Sequence, residues 1–285
     1  MNHELLISTT QLQALLANTS PVRIFDCSFD LADASAGHKQ YSQAHIPGAV
    51  YAHLDTDLSD KHGTGISGGR HPLPTREKFA TWLSSVGLGN NMQAVVYDRN
   101  GANYCGRLWW MLKWAGHANV AVLDGGWQAW QTAGGGVANG DESGNFQTNY
   151  AIAPVITKLV ATKTVADNLG RPIQTLIDAR GAPRFRGDVE PLDPVAGHIP
   201  GALNRPFGQN FGPDGKFKSA NALKAEFDAL LAGRDPATVV HHCGSGVSAV
   251  PNIIAMQIAG LGMTGLYAGS WSDWCSDTSR PVAQG

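Results

Sequence analysis

One cysteine of the chain stands in a context that favours nucleophilic chemistry. Cys243 follows the predicted strand 238–241 and His242, and it opens a loop of small residues, 244–248, ahead of a predicted helix at 249–259. Backbone N–H groups of such a loop can turn inward and form an anion nest, and the dipole of the following helix adds to it. Both effects favour thiolate over thiol, so we predict that Cys243 is a catalytic nucleophile. The residues expected to form its substrate-binding loop are Gly244, Gly246, Val247 and Ser248.

Two other chemistries for this loop are disfavoured by the residues around it. A cysteine phosphatase needs an arginine six positions after its cysteine to hold phosphate, and position 249 is alanine. A zinc site at 241–243 would need adjacent strand residues to point the same way, whereas side chains alternate between the faces of a strand. We therefore predict no metal site. The remaining cysteines lack such a loop and are expected to be buried structural residues: Cys27, Cys105 and Cys275.

The elements around the cysteine belong to a repeated unit. His-Ile-Pro-Gly-Ala occurs at 45–49 and again at 198–202, and further landmarks recur in the same order at offsets of 144 to 153 residues. An ordered set at near-constant spacing indicates an internal repeat. The length of 285 residues also fits two domains of roughly 150 residues each. We predict a first domain at 1–138, a Gly-rich linker at 139–155 and a second domain at 156–285.

Each copy alternates short apolar runs with longer amphipathic segments. This predicts an α/β fold in which a mostly parallel sheet is flanked by helices. The predicted strands are 22–25, 94–97, 120–123, 175–177, 238–241 and 265–267. The predicted helices are 10–17, 76–86, 106–115, 222–231 and 249–259. Functional groups of such sheets gather at the carboxyl ends of strands. Cys243 lies at such an end, but the equivalent position of the first copy is Arg99, so we expect that copy to be non-catalytic.

Composition narrows the function further. The chain has 21 Lys+Arg against 23 Asp+Glu, a net charge of -2, and only 15% charged residues without a basic block. This argues against nucleic-acid partners and against binding to membranes through charge. We also find no run of about 18 apolar residues, so no membrane span is predicted. Residues 1–4 lack the pattern of a secretory signal, and we expect a cytoplasmic protein with mostly unpaired thiols.

Together these features resemble the two-domain rhodanese superfamily over roughly residues 5–280. The segments that carry the resemblance are the paired His-Ile-Pro-Gly-Ala motifs, Asp178-Ala179-Arg180, Arg184-Phe185-Arg186-Gly187, the Cys243 loop and Gly269-Ser270-Trp271. The resemblance implies tandem rhodanese-like domains, of which only the second is catalytic. It also implies ping-pong sulfur transfer through a persulfide on Cys243, with no cofactor. The implied partners are a small-molecule sulfur donor and a thiol, thioredoxin-like or cyanide acceptor.

The loop sequence also bears on the sulfur donor. Cys-Gly-Ser-Gly-Val-Ser resembles the 3-mercaptopyruvate sulfurtransferase branch of the superfamily, and segment 244–248 carries no charge. Thiosulfate is a small dianion that is bound better when cations line the loop, whereas 3-mercaptopyruvate needs one arginine for its carboxylate and donors for its keto group. The prediction is 3-mercaptopyruvate. A thiosulfate sulfurtransferase and a persulfide relay protein with a dedicated partner stay as alternatives.

The resemblance further implies which cations bind the donor. Arg184 matches the substrate-carboxylate arginine of the family. The 3-mercaptopyruvate branch often has a second arginine nine residues later, and that position here is Asp193. We expect Arg186 or Arg205 to supply the missing charge.

A serine, a histidine and an aspartate are also described near the cysteine in this branch. Ser245 matches the serine, and His71 and Asp57 are the expected counterparts from the first half of the chain. A hydroxyl beside a base can donate a hydrogen bond or relay a proton to a developing charge. Asp178 and Arg180 are expected to brace the loop, because a buried carboxylate commonly holds an arginine in place.

Overall fold

The computed structural model of the protein describes residues 3–18, 21–63, 65–142 and 147–285. Its chain divides into two units. Unit 1 comprises Met1–Asp60, Pro74–Ile156 and Phe211–Phe217, and unit 2 comprises Lys61–Leu73, Thr157–Asn210 and Lys218–Gly285. Each unit therefore takes one short segment from the other half of the sequence. The predicted linker 139–155 falls in unit 1, except for residues 143–146, which lie outside the described residues. The domain limits drawn from the sequence stay a prediction.

Unit 1 is built on a parallel sheet whose strands lie in the order β1–β5–β4–β2–β3. The strands are β1 (Leu6–Ile7), β2 (Val22–Asp26), β3 (Ala49–Tyr51), β4 (Gln93–Tyr97) and β5 (Val120–Leu123). The helices are α1 (Thr9–Ala17), α2 (Ala36–Gln43), α3 (Arg76–Ser85), α4 (Cys105–Trp114) and α5 (Gly126–Thr132). Central strand β4 is buried along its whole length, as expected for a parallel sheet covered on both faces.

Unit 2 repeats this order as β6–β10–β9–β7–β8, again with parallel pairing. The strands are β6 (Lys158–Leu159), β7 (Thr175–Asp178), β8 (Leu203–Asn204), β9 (Val239–His242) and β10 (Gly265–Leu266). The helices are α6 (Thr162–Asp167), α7 (Ala182–Arg186), α8 (Ala220–Leu231), α9 (Val250–Ile258) and α10 (Ser270–Trp274), with 3₁₀ turns at Phe207–Asn210 and Pro236–Thr238. The central strand β9 ends where Cys243 begins, so the cysteine lies at the middle of the sheet's carboxyl edge.

Aromatic side chains of α10 anchor the core of unit 2. Trp271 and Trp274 are fully buried among aliphatic residues of the sheet, and Phe185 packs against the same cluster. The indole N–H of Trp271 donates to the carbonyl oxygen of Val195 at 2.9 Å. This packing fixes the position of α10, whose first residues contact the Cys243 loop.

The α/β fold predicted from the sequence is confirmed. All predicted strands and helices are present, with ends within two residues of the predicted ones. The edge strands β1, β3, β6 and β8 and the short helices were not predicted. In the part of the chain that the structure describes, no helix has the length and apolar character needed to cross a bilayer.

Candidate active site

Backbone hydrogen bonds fix the position of Cys243 at the end of β9. Its side chain is only 2% exposed. Its N–H donates to the Ser270 hydroxyl at 3.1 Å, and its carbonyl oxygen accepts from the N–H of Trp271 at 2.9 Å. The next carbonyl, that of Gly244, accepts from the N–H of Ser272 at 2.9 Å. Two N–H groups in the first turn of α10 thus hold the start of the loop by binding the carbonyl oxygens of Cys243 and Gly244.

The remainder of the loop depends on a glycine. Gly246 has φ +76°, and a Cβ built there would lie 2.2 Å from the carbonyl oxygen of Ala268. Only glycine combines this left-handed backbone with so close an approach of another chain segment. Val247 is buried and Ser248 half-buried. Helix α9 then begins at Val250 with a proline in its first turn, where a missing N–H is harmless.

The structure brings together two residues that the sequence proposed as catalytic. The Nδ1 atom of His71 lies 2.7 Å from Oγ of Ser245, and both side chains are buried. The segment Lys61–Leu73, which carries His71, belongs to unit 2, as Ser245 does. A Cβ on Gly69 would lie 2.6 Å from the carbonyl oxygen of Gly269, so the glycine permits the segment to approach α10.

Asp57, the third member of the proposed set, belongs to unit 1 rather than unit 2. Its carboxylate accepts the N–H of His53 at 2.8 Å and the hydroxyl of Thr56 at 3.2 Å. Burial raises the pKa of Asp57 in spite of these hydrogen bonds. Its role beside Ser245 and His71 stays a prediction.

Arg184 lies beside the loop, as the resemblance implied. Its guanidinium binds Glu190 at 2.6 Å and Asp193 at 3.2 Å. A Cβ built on Gly244 would be 3.6 Å from Nη1 of Arg184, so the guanidinium flanks the residue that follows Cys243. Burial acts to raise the pKa of Glu190, but the hydrogen bonds from Arg184 and from backbone N–H groups outweigh it and hold that pKa below its ordinary range.

A second cation at this position was missed by the sequence reasoning. Arg70, next to His71 in the chain, binds Asp193 through Nη1. A Cβ on Gly244 would lie 2.8 Å from its Nη2. Its backbone N–H donates to the Ser272 hydroxyl at 3.1 Å, which ties it to α10. The available signal was its place beside a candidate catalytic histidine, in Gly68-Gly69-Arg70-His71.

The two cations expected to supply the missing charge are engaged elsewhere. Arg186 is about half exposed and binds Asp188 at 2.6 Å. Arg205 is buried and binds Glu226 at 2.8 Å and Asn210 at 3.0 Å. The second guanidinium beside Gly244 is that of Arg70 rather than that of Arg186 or Arg205.

A buried ion pair stabilises the neighbouring end of β7. The Arg180 guanidinium donates to the Asp178 carboxylate at 2.7 Å and to the carbonyl oxygen of Gly197 at 2.6 Å, and it stacks over Trp271 at 4.8 Å. Burial alone would raise the pKa of Asp178, but His242 and Arg180 hold it below its ordinary value. The predicted bracing role is consistent with these contacts.

Unit 1 builds a similar brace from a different position. The prediction that Arg99 is the counterpart of Cys243 is wrong by one residue. Tyr97 and His242 hold the same place in the two sheets, and the next carbonyl oxygens, those of Asp98 and Cys243, accept the N–H groups of Trp127 and Trp271, so Asp98 is the counterpart of Cys243. Arg99, the residue after it, donates to Asp26 and to Ser28, each at 2.7 Å, and to the carbonyl oxygen of Ala44. Its guanidinium lies 4.7 Å from the ring of Trp127. The first copy therefore has the Asp98 carboxylate at the position where the second has a thiol, and a structural cation directly after it.

The remaining cysteines are free buried thiols in environments that favour the protonated form. Burial, followed by the carboxylate of Asp98, raises the pKa of both Cys27 and Cys105. Burial also raises the pKa of Cys275. All four cysteines, which lie in the described ranges, are free. The ring of His241 contacts Met256, whereas that of His242 lies 4.0 Å from Asp178, so the two rings face different neighbours.

A protein-family model described as the Rhodanese-like domain matches residues 8–133 and again 161–277. The chain belongs to the rhodanese family. It is 44% identical to a probable 3-mercaptopyruvate sulfurtransferase of Pseudomonas aeruginosa over 100% of both chains. It is 40% identical to a putative thiosulfate sulfurtransferase of Mycobacterium tuberculosis, over 99% of this chain and 98% of that protein.

Solved structures agree with this assignment. The 3-mercaptopyruvate sulfurtransferase from Leishmania major superposes with a TM-score of 0.81 at 31% identity, over 96% of this chain and 74% of that one. The family and the sulfurtransferase class predicted from the sequence are confirmed. The two curated relatives are named for different sulfur donors, so the choice of donor rests on the site.

Proposed function

We propose that the protein is a sulfurtransferase that carries sulfur from 3-mercaptopyruvate to a thiol or cyanide acceptor through a persulfide on Cys243. The observation that carries the proposal is the arrangement around Gly244. The residue before it is the nucleophile, the residue after it is hydrogen-bonded to His71, and two guanidinium groups flank it. A site with one thiol, one hydroxyl–imidazole pair and cations suits a donor with a transferable sulfur and one carboxylate.

In the first half-reaction the Cys243 thiolate attacks the thiol sulfur of the donor. A sulfur–sulfur bond forms while the bond between that sulfur and C3 breaks. The electron pair of the broken bond stays on the three-carbon fragment as the enolate of pyruvate, and protonation at C3 gives pyruvate. The guanidinium groups of Arg184 and Arg70 bind the donor carboxylate, so the sulfur is positioned for attack.

The Ser245–His71 pair neutralises the negative charge that develops on the leaving fragment. A buried hydroxyl held at 2.7 Å from an imidazole nitrogen can pass a proton toward the enolate and recover one from the histidine. Sulfite, which leaves when thiosulfate is the donor, needs no such proton. The pair is therefore expected to assist transfer from 3-mercaptopyruvate more than from thiosulfate.

In the second half-reaction an acceptor thiolate attacks the outer sulfur of the Cys243 persulfide. The new sulfur–sulfur bond forms on the acceptor, and the Cys243 thiolate leaves with the electron pair of the old one. A small thiol or a thioredoxin-like protein can serve as acceptor, and cyanide would yield thiocyanate. Free thiols throughout the described chain suit the reducing cytoplasm, where we place the protein.

The deciding experiment compares kcat/KM for 3-mercaptopyruvate and for thiosulfate with cyanide as the common acceptor. We expect a preference for 3-mercaptopyruvate above about 100-fold, which corresponds to about 2.7 kcal/mol in transition-state binding. Cys243→Ser is the blank and should abolish transfer from both donors while leaving the unfolding transition in place. Turnover in that variant would contradict a persulfide on Cys243.

A second candidate is transfer from thiosulfate, which the name of the Mycobacterium tuberculosis relative favours. A preference for thiosulfate in the same comparison would replace the first proposal with this one. A third is a relay that hands persulfide to a dedicated partner. It would show a stable persulfide on Cys243 by mass spectrometry but no turnover with small acceptors.

Ser245→Ala tests the proposed proton transfer. We expect kcat for 3-mercaptopyruvate to fall about 100-fold, within the range of general acid–base catalysis, and kcat for thiosulfate to fall much less. The comparison of donors separates a role of the Ser245 hydroxyl in proton transfer from a role in holding the loop in place. An equal loss with both donors would mean that Ser245 and His71 only hold the loop in place.

A further inference from the structure

One carboxylate links the two guanidinium groups beside the nucleophile. Oδ1 of Asp193 binds Nη1 of Arg70, and Oδ2 binds Nη2 of Arg184 at 3.2 Å. Arg70 lies 123 residues from Asp193 in the sequence and Arg184 lies nine residues from it, and the guanidinium groups of both bind this carboxylate. A Cβ built on Gly244 would lie 2.8 Å from Nη2 of Arg70, and 3.6 and 3.7 Å from Nη1 and Nη2 of Arg184.

Exposure differs between the acids and the cations of this cluster. The Asp193 and Glu190 side chains are each 3% exposed, whereas those of Arg184 and Arg70 are 20% and 28% exposed. The carboxylates therefore lie behind the guanidinium groups, and the nitrogens remain the accessible surface. A ligand that reaches Gly244 meets N–H donors first.

The charges of this cluster balance. Arg70, Arg180 and Arg184 contribute three positive charges. They are joined by direct ion pairs to three negative charges, those of Asp178, Glu190 and Asp193. Such a site offers directed donors to an anion without a large net positive potential. It suits a ligand with one negative charge better than a ligand with two.

We propose that Arg70 and Arg184 together form the carboxylate fork for an α-keto acid donor, and that Asp193 makes the fork selective for a monoanion over a dianion. This inference rests on the proposed sulfurtransferase function and names the residues that choose its donor. Asp193 acts in two ways. It holds the two guanidinium groups side by side, and its charge cancels one of theirs.

The selectivity follows from the charge of the donors. Thiosulfate carries two negative charges, and 3-mercaptopyruvate carries one on its carboxylate. A change of potential at the fork alters the energy of a dianion twice as much as that of a monoanion. Removing the Asp193 charge should therefore help thiosulfate more than 3-mercaptopyruvate, even where the loss of its hydrogen bonds slows both.

Arg70 can be tested without sulfur transfer, by alkylation of Cys243. Iodoacetate carries a carboxylate and iodoacetamide is its neutral analogue, and with both the cysteine sulfur displaces iodide from the same CH₂ group. We expect Arg70→Gln to lower the ratio of the iodoacetate rate to the iodoacetamide rate about tenfold, with modification of Cys243 followed by mass spectrometry. Arg70→Lys keeps the charge but loses the planar guanidinium, so its ratio of alkylation rates should lie between those of the wild type and of Arg70→Gln.

The matched control is Arg171→Gln. Arg171 is exposed and precedes β7, so it lies at the amino end of the strands, opposite the edge that carries Cys243. The ratio of alkylation rates should not change in this variant. An unchanged ratio in Arg70→Gln, with the same unfolding midpoint as the wild type, would overturn the assignment of Arg70 to the fork.

Asp193 is tested by donor preference. We expect Asp193→Asn to shift the ratio of kcat/KM for thiosulfate over 3-mercaptopyruvate about tenfold toward thiosulfate. Asp188→Asn is the control, because it removes a negative charge from the same loop at a half-exposed position. An unchanged ratio in Asp193→Asn would overturn the selectivity role.

The sulfurtransferase function and the carboxylate fork can be refuted separately. If the wild-type protein transfers sulfur from neither donor, the proposed function is wrong, and the alkylation ratio still reports whether Arg70 binds a carboxylate. If the wild type is active but Arg70→Gln alkylates with the wild-type ratio, the fork is wrong and the sulfurtransferase proposal stands.

Discussion

Adding a single methyl group at Gly246 tests the geometry of the nucleophile loop. In Gly246→Ala the new Cβ would lie 2.2 Å from the carbonyl oxygen of Ala268, 2.8 Å from its Cα and 2.9 Å from its carbonyl carbon. All three are backbone atoms, so no side-chain rotation can relieve the contact. The variant must move either the loop or the segment that follows β10.

The expected cost has two parts. The left-handed backbone at φ +76° costs a residue with a Cβ about 1–2 kcal/mol. Relieving the contact with Ala268 adds about 1–3 kcal/mol, the range for overpacked cores. Gly246→Ala should therefore lower the free energy of unfolding by about 2–5 kcal/mol.

Gly260→Ala measures the cost of the left-handed backbone alone. Gly260 follows α9 with φ +72°, and a Cβ there would have nothing within 4 Å. Urea unfolding of both variants and the wild type gives the contact term as the difference between the two losses. Equal losses in Gly246→Ala and Gly260→Ala would refute the close approach of Ala268 to the loop.

The same variant has a functional readout. Gly246 directly follows Ser245, so a displaced loop should lengthen the 2.7 Å contact between that serine and His71. We expect kcat for 3-mercaptopyruvate to fall at temperatures where Gly246→Ala is still folded. Gly260→Ala should keep the wild-type kcat, because it lies beyond the far end of α9.

Two further predictions concern buried charge. Asp178→Asn should lower the free energy of unfolding by about 3 kcal/mol, because it removes the carboxylate paired with the buried Arg180. The control, Asp167→Asn, lies in an exposed ion pair and should change that free energy by less than about 0.5 kcal/mol. Equal effects of the two substitutions in urea unfolding would contradict the bracing role of Asp178. Burial, and then the neighbouring charges, lowers the pKa of His241 to about 3, so below about pH 6.5 the unfolded chain binds a proton that the folded chain does not. Stability should therefore fall with acid by about 1.4 kcal/mol per pH unit from this residue, and a pH series in which His241→Asn keeps the full wild-type slope would contradict it.

The sequence predicted those parts of the fold that local patterns determine. Central strands such as β4 and β9 contain the apolar segments 94–97 and 239–240, and longer helices such as α3 carry amphipathic spacing and a capping threonine. The edge strands span two or three residues, too few for any periodicity. Their pairing depends on the strand beside them, which no local pattern contains.

Prediction of the site was limited in the same way, because contacts between distant segments leave no local pattern. Arg186 was expected to supply the charge missing at Asp193, but residues two apart on a helix, such as Arg184 and Arg186, do not share a face. Since Arg184 of α7 faces Gly244, Arg186 points elsewhere and binds Asp188. Arg70 was missed because its segment precedes α3 in the chain yet belongs to unit 2. Such a long-range placement leaves no mark in local spacing.

The aspartate of unit 1 at the nucleophile position has a consequence for how the two halves of the chain can evolve. The Asp98 carboxylate accepts the backbone N–H groups of Asn100, Ala102, Tyr104 and Cys105 at 2.8–3.0 Å, so it holds its own loop in shape. Asp98→Cys would restore a thiol but would leave these N–H groups without their carboxylate acceptor. A return of the chemistry therefore needs a rebuilt loop together with the new thiol, and the loss of the nucleophile in the first half acts as a ratchet against reversal.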